Sequence, residues 1–83
     1  MKLQDLLYKV NILKVVGSTN IEISDVQFDS RKIQKNDLFI ATRGTITDGH
    51  IYIDKAIQKG AKAIIAEQFP SKVVEGITYL LVE

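Results

Sequence analysis

The sequence predicts a single α/β domain: a small mixed sheet of about five strands with two or three helices, containing a βαβ unit. Three observations predict it. The run Leu38–Ala41 is continuously apolar, as expected for a strand covered on both faces. A helical apolar pattern follows it, and Gly60 then precedes a second apolar run at 61–66. Strand, helix and strand in that order form a parallel pair joined by a crossover.

The remaining elements follow from periodicity. Apolar residues recur at helical spacing from Leu3 to Val10, which predicts an amphipathic helix over residues 2–10. Alternating apolar residues from Ile21 to Phe28 predict one or two half-buried strands, and a last strand is predicted over 78–82. The crossover helix is predicted to run from an N-cap at Asp48 to about Lys59.

Composition narrows the functional classes. The 83 residues suit one domain, and 46% of them are hydrophobic. A net charge of +1 argues against a nucleic-acid arm or a polybasic membrane anchor. The chain has no cysteine, no signal-peptide pattern and no apolar run near the ~20 residues of a membrane helix. We therefore expect a cytoplasmic protein with neither nucleic acid nor membrane as a partner.

The main candidate site is the loop between the first strand of the βαβ unit and its helix. Ligands of open α/β sheets bind at this position, beyond the carboxyl end of a strand. Two glycines allow close approach to the backbone, while hydroxyls and a guanidinium offer donors. If Asp48 caps the helix, its carboxylate occupies the helix tip and an anion would meet the loop instead. The alternative is an ordinary strand-to-helix connection. The loop comprises Thr42, Arg43, Gly44, Thr45, Ile46, Thr47, Asp48, Gly49 and His50.

The second candidate is Asp29-Ser30-Arg31, which follows a predicted strand. Ser30 offers a donor to a ligand oxygen, and Arg31 offers a bidentate phosphate contact. The alternative is a turn in which Asp29 caps backbone N–H groups and pairs with Arg31. The only two arginines of the chain, Arg31 and Arg43, each follow a predicted strand beside a polar loop.

Other chemistries lack their signatures. His50 is the only histidine and has no partner at metal-ligand spacing, so no metal site is expected. The sequence has no G-x-x-x-x-G-K-[ST] motif for ATP and Mg²⁺, and its serines lack a base at a recognisable spacing. No catalytic residue is therefore assigned within this chain.

Several short motifs together resemble the N-terminal domain of the Mur ligases, which extend the peptide stem of peptidoglycan precursors with ATP. The resemblance runs from about Leu3 to Glu83, with Asn36 standing where the family usually has Gly. The early Leu-Leu helix and Val15–Ser18 favour the MurE branch, which adds the third stem residue; the MurF branch, which adds D-Ala-D-Ala, is the alternative. The matching pieces are Asp29-Ser30-Arg31, Asn36–Ala41, Gly44, Asp48-Gly49-His50, Ala56-Ile57 and Gly60-Ala61.

The resemblance implies that this domain holds the UDP end of a UDP-N-acetylmuramoyl-peptide. It places uridine contacts at Phe28 and Ser30 and at the loop residues Thr45, Ile46 and Thr47. Arg31 and Arg43 are possible phosphate contacts, while Asp29, Gly44, Asp48, Gly49 and His50 would shape the site. The domain itself would need no cofactor. ATP and Mg²⁺ would bind the parent enzyme, whose central and C-terminal ligase domains are covalently linked partners absent from these 83 residues. A freestanding, non-catalytic interaction module remains the competing hypothesis.

Overall fold

The computed structural model describes residues 2–8, 10–41, 52–67 and 74–82. The elements in these ranges are α1 (Leu3–Leu6), β1 (Ile12–Val16), β2 (Val26–Gln27), a 3₁₀ turn (Ser30–Lys32), β3 (Leu38–Ile40), α2 (Ile53–Gln58), β4 (Ala63–Ala66) and β5 (Thr78–Val82). The strands form one five-stranded sheet in the order β1-β5-β4-β3-β2. Only β1 runs antiparallel to its neighbour, while the other three pairs are parallel. The predicted mixed sheet of five strands is therefore confirmed.

The predicted βαβ unit is β3, α2 and β4. Its two strands pair in parallel from Leu38–Ala63 to Ile40–Ile65. Side chains alternate between the faces, so that Phe39 packs on the α2 side while Leu38 packs on the α1 side. This two-sided burial explains why the sequence of β3 is continuously apolar. Neither helix of the described ranges has the length or apolar character needed to cross a bilayer.

The carboxyl end of α2 is fixed by a Schellman motif. The N–H of Gly60 donates to the C=O of Ile57 at 3.0 Å, and the N–H of Ala61 donates to that of Ala56 at 3.0 Å. Gly60 has φ +116°, and a Cβ there would lie 2.9 Å from the Cα of Lys35. Glycine is required by both the dihedral angle and the close approach, so its predicted role as the helix stop is confirmed.

The beginning of α2 differs from the prediction. The helix starts at Ile53, with Tyr52 at the N-cap and no side-chain capping bond. The prediction that Asp48 is the N-cap of this helix is therefore wrong, because Tyr52 occupies the N-cap position. Asp48 itself lies outside the described residues. The predicted apolar face is correct, since Ile53 and Ala56 are buried and Ile57 is partly buried.

The N-terminal segment also differs. The helix predicted over 2–10 ends at Leu6, and the N–H of Val10 donates to the C=O of Leu7 in a turn. Tertiary bonds hold the short helix: the N–H of Leu3 donates to the C=O of Ile21 at 2.9 Å. Val10 is exposed, so a longer helix would bury no further apolar side chain there. The chain instead enters β1, a strand that the sequence did not reveal because its pattern lacks alternation.

Candidate ligand-binding site

The two candidate segments leave the sheet at neighbouring strand ends. β2 ends at Gln27 and leads into Phe28–Arg31, while β3 ends at Ile40 and leads into the loop that begins at Thr42. Gln27 pairs with Phe39 in the parallel ladder, so both segments start at the same edge of the sheet. The N–H of Ala41 donates to the C=O of Ile65 at 2.8 Å and anchors the start of the loop. This edge is where an open α/β sheet binds ligands.

The loop prediction concerns residues beyond the described part of the chain. The candidates Arg43, Gly44, Thr45, Ile46, Thr47, Asp48, Gly49 and His50 lie outside the described residues. Their assigned roles therefore remain predictions.

Phe28 is the most exposed apolar side chain at this edge. It follows β2 directly and is 68% exposed, whereas Leu38 and Phe39 on the neighbouring strand are each 1% exposed. An exposed aromatic ring offers a flat apolar surface on which a planar base can stack. The uridine contact at Phe28 stays a prediction.

Ser30 is the first residue of the 3₁₀ turn and is only 5% exposed. Its C=O accepts the N–H of Ile33 at 3.5 Å, which closes the turn. The backbone holds this residue in a defined position beside Phe28. A ligand would reach Ser30 only through the small exposed part of the residue, so the predicted contact is confined to a narrow approach.

Asp29 and Arg31 form the turn that the structural alternative predicted. Oδ1 of Asp29 accepts the backbone N–H of Arg31 at 2.9 Å and its Nε at 3.1 Å. Oδ2 accepts Nη2 of Arg31 at 2.9 Å, which completes a bidentate pair. The side-chain bond from Arg31 and then its backbone N–H lower the pKa of Asp29 from 3.8 to about 2. The same pair raises the pKa of Arg31.

This pairing limits what Arg31 offers to a phosphate. Asp29 offsets the guanidinium charge and occupies Nε and Nη2, yet the Arg31 side chain is 83% exposed. Because guanidinium carries five N–H donors, the donors that face away from Asp29 still reach solvent. A phosphate contact at Arg31 remains a prediction, and it would share the cation with Asp29.

One contact of this turn was not predicted. Nζ of Lys59 donates to the C=O of Arg31 at 3.1 Å and ties the end of α2 to the 3₁₀ turn. Scattered lysines carry no sequence signal for such a contact, which arises only when α2 folds back beside the turn.

The described residues hold no metal-binding cluster. Within them, no group of three or more His, Cys, Asp or Glu side chains is placed to hold an ion. The residues at this edge of the sheet can recognise a ligand through an aromatic surface, hydroxyl and guanidinium donors, and backbone groups.

Known proteins with similar sequences share one family. Residues 22–78 match the family model described as "Mur ligase family, catalytic domain". The UDP-N-acetylmuramoyl-L-alanyl-D-glutamate–2,6-diaminopimelate ligase of Bacteroides fragilis is 45% identical over 99% of this chain and 17% of that protein. The ligases of the same name from Bacteroides thetaiotaomicron and Clostridioides difficile are 49% and 45% identical over 100% of this chain. The chain spans 17% of the length of these relatives.

Solved structures agree with this result. The MurF ligase of Thermotoga maritima, in complex with ADP, is 39% identical over 71% of this chain and 13% of that chain, with a TM-score of 0.60. A MurF structure from Acinetobacter baumannii covers 98% of this chain and 17% of that chain, with a TM-score of 0.73 and 23% identity, and shows the shared fold. The family model matches more than half of the residues, and named relatives align along nearly all of them. The chain therefore belongs to the Mur ligase family.

Proposed function

We propose that this chain is the N-terminal substrate-anchoring domain of a peptidoglycan-precursor ligase of the MurE branch. It holds the UDP end of UDP-N-acetylmuramoyl-L-alanyl-D-glutamate while the parent enzyme adds the third stem-peptide residue with ATP hydrolysis in the cytoplasm. The observation that carries the proposal is the end-to-end alignment, at 40–49% identity, with ligases whose names state that substrate. The whole reaction belongs to the longer parent, since the chain spans 17% of those relatives.

In this proposal the carboxyl edge of the sheet grips the nucleotide. The exposed ring of Phe28 stacks on the uracil, and Ser30 with the loop residues Thr45–Thr47 supplies polar contacts. Arg31 and Arg43 lie on the two segments that leave neighbouring strands, where they meet the diphosphate. Because Asp29 already offsets the charge of Arg31, Arg43 carries the larger share of that contact.

The role of this grip is positional. Binding energy gained at the nucleotide end fixes the peptide carboxylate where it reacts, although these residues touch no reacting atom. ATP and Mg²⁺ belong to other parts of the parent enzyme, since this sequence lacks a phosphate-binding loop motif. The only chemistry required of the present residues is binding and orientation.

Titration of the 83-residue chain with UDP, followed by amide NMR shifts, tests the site. We expect perturbations around Ser30 and Thr45–Thr47 at millimolar UDP. Phe28→Ala should weaken binding about ten-fold, since stacking of one base contributes ~1–3 kcal/mol. Thermal stability should change little, because Phe28 is exposed.

Leu13→Ala is the matched control. Leu13 is 58% exposed and lies in β1, at the opposite edge of the sheet from Phe28. UDP affinity should be unchanged in this variant. Equal loss of affinity in both variants, or no perturbation near Ser30 in the unsubstituted chain, would count against a uridine site at this edge.

The MurF branch is the second candidate, supported by the Thermotoga maritima structure at 39% identity. The MurE relatives are 45–49% identical over 99–100% of the chain, whereas the MurF structures are 39% identical over 71% of it or 23% identical over 98% of it. Two mixtures separate the branches: ATP with UDP-N-acetylmuramoyl-L-alanyl-D-glutamate and 2,6-diaminopimelate, or ATP with D-Ala-D-Ala and the UDP-linked precursor that already carries 2,6-diaminopimelate. Turnover with the dipeptide alone would favour MurF.

A further inference from the structure

The two faces of the sheet are unequally covered. On the face packed by α2, most side chains of the three central strands are buried: Phe39 is 1% exposed, Ile64 0%, Ala66 2% and Tyr79 1%, while Leu81, near the end of β5, is half-buried. On the opposite face, α1 has only four residues. It covers the amino ends of the parallel strands, where Leu38 is 1% and Ala63 0% exposed.

Beyond α1, an apolar stripe crosses this second face. The register pairs Ile40 with Ile65, Ile65 with Leu80, and Leu80 with Val15. Directly paired residues project from the same face of a sheet, so these four side chains form one row. Leu80 is fully buried, Ile40 and Ile65 are half-buried, and Val15 is 42% exposed. Val82 pairs with Ile12 on the same face, and both are half-buried.

We name the incompletely covered set the open stripe: Ile12, Val15, Ile40, Ile65 and Val82. Sheets built mainly from parallel strands are normally covered on both faces, because both faces of their strands are apolar. Among the described residues, nothing covers this stripe as completely as α2 covers the other face. Among the residues that the structure describes, the least covered part of the sheet is therefore the carboxyl half of the α1 face.

We propose that the open stripe is the docking surface for the rest of the parent polypeptide, so that an apolar surface of a covalently linked domain completes the second layer. This inference rests on the proposed function. The relatives carry the matching region as 17% of their length, so a full-length chain supplies ample covering surface. Linkage in one chain also raises the effective concentration of that surface to about the millimolar range.

The size of the stripe favours an intramolecular partner. A stable interface between separate proteins takes about 20–30 residues a side, far more than the five residues of the stripe and their immediate neighbours. Interfaces between domains of one chain function with less area, because linkage removes most of the association cost.

Pairing with a second copy through β1 is disfavoured. β1 is an edge strand, and its register shifts between Ile12 and Lys14. Such an irregularity, together with a lysine on the edge, interrupts the hydrogen-bonding row that a second strand would need. The face of the strand, rather than its edge, is the surface available for docking.

Val15→Lys in the full-length parent tests the proposal, with Val74→Lys as the matched control. The two valines are 42% and 40% exposed, but only Val15 lies on the stripe. Limited proteolysis should release the N-terminal domain at least ten-fold faster from the Val15→Lys variant than from the unsubstituted enzyme. The Val74→Lys variant should behave as the unsubstituted enzyme. Val15→Thr, which keeps the β-branched shape, should give a smaller effect in the same direction and serves if the lysine variant fails to fold.

Equal release from the Val15 and Val74 variants would overturn the inference, as would a reading frame that ends at Glu83. Protection of the stripe by UDP in the isolated domain would overturn it too, by identifying the nucleotide as the covering layer. These results are separable from a failure of the proposed function. A parent enzyme that does not bind its UDP substrate can still show stripe-dependent docking.

Discussion

Gly60→Ala should destabilise the domain more than any other glycine-to-alanine change among the described residues with positive φ. The φ of Gly60 is +116°, a conformation that costs an alanine about 1–2 kcal/mol. The new Cβ would also lie 2.9 Å from the Cα of Lys35, a backbone atom that cannot rotate away. Relieving such overpacking typically costs ~1–3 kcal/mol.

The net loss of unfolding free energy is smaller than the sum of these two costs. Alanine restricts the unfolded chain more than glycine does, which stabilises the folded state by about 0.4–1 kcal/mol. We therefore expect Gly60→Ala to lower the free energy of unfolding by about 2–4 kcal/mol, a large part of the ~4–12 kcal/mol available to a domain of this size. For a domain of 60–100 residues this corresponds to a fall in Tm of about 10–25 °C.

Gly76→Ala isolates the close contact from the dihedral strain. Gly76 has φ +89°, but a Cβ there would meet no heavy atom within 4 Å. This variant should lose only about 0.5–1 kcal/mol. Urea denaturation of both variants, analysed at constant m, measures the difference. Equal destabilisation would refute the argument that the approach of Lys35 requires glycine at position 60.

Three further predictions concern single polar groups and the core. Asp29 should titrate with a pKa of about 2 by NMR, and this pKa should rise toward 3.8 in Arg31→Gln. Because the folded-state pKa is lowered, the stabilisation from this pair is present above pH 3.8 and is lost as the pH falls through about 2. Thr78→Val should cost about 1–2 kcal/mol of unfolding free energy, because Oγ1 of the buried threonine donates to the C=O of Ser18 at 2.7 Å; an unchanged urea midpoint would contradict this. Ile64→Ala should cost about 2–5 kcal/mol, since Ile64 is 0% exposed in the core, and a loss below 1 kcal/mol in the same assay would contradict that burial.

Parts of the site were predictable because their signals are local. Asp29-Ser30-Arg31 contains its own turn chemistry, and the carboxylate caps the N–H two residues later, as the short-range pattern predicts. Local interactions also hold the turn at Lys35–Asp37, where Asn36 adopts φ 68° and Oδ2 of Asp37 accepts the N–H of Gln34 at 2.8 Å. Contacts between α2 and this turn could not be predicted from local patterns, because Lys59 and Arg31 are 28 residues apart in the chain.

Local sequence patterns were enough to specify the βαβ unit, the end of α2 at Gly60, and β5, whose predicted bounds Thr78–Val82 match the structure. These elements depend on apolar runs and on a backbone angle that only glycine adopts easily, so nearby residues suffice to specify them. Contacts between distant segments set where α1 ends, that residues 12–16 form an edge strand, and which face of the sheet is less completely covered. Those outcomes depend on bonds such as that from Leu3 to Ile21 and on the register of β1 against β5, and no local pattern encodes energies that arise between distant segments.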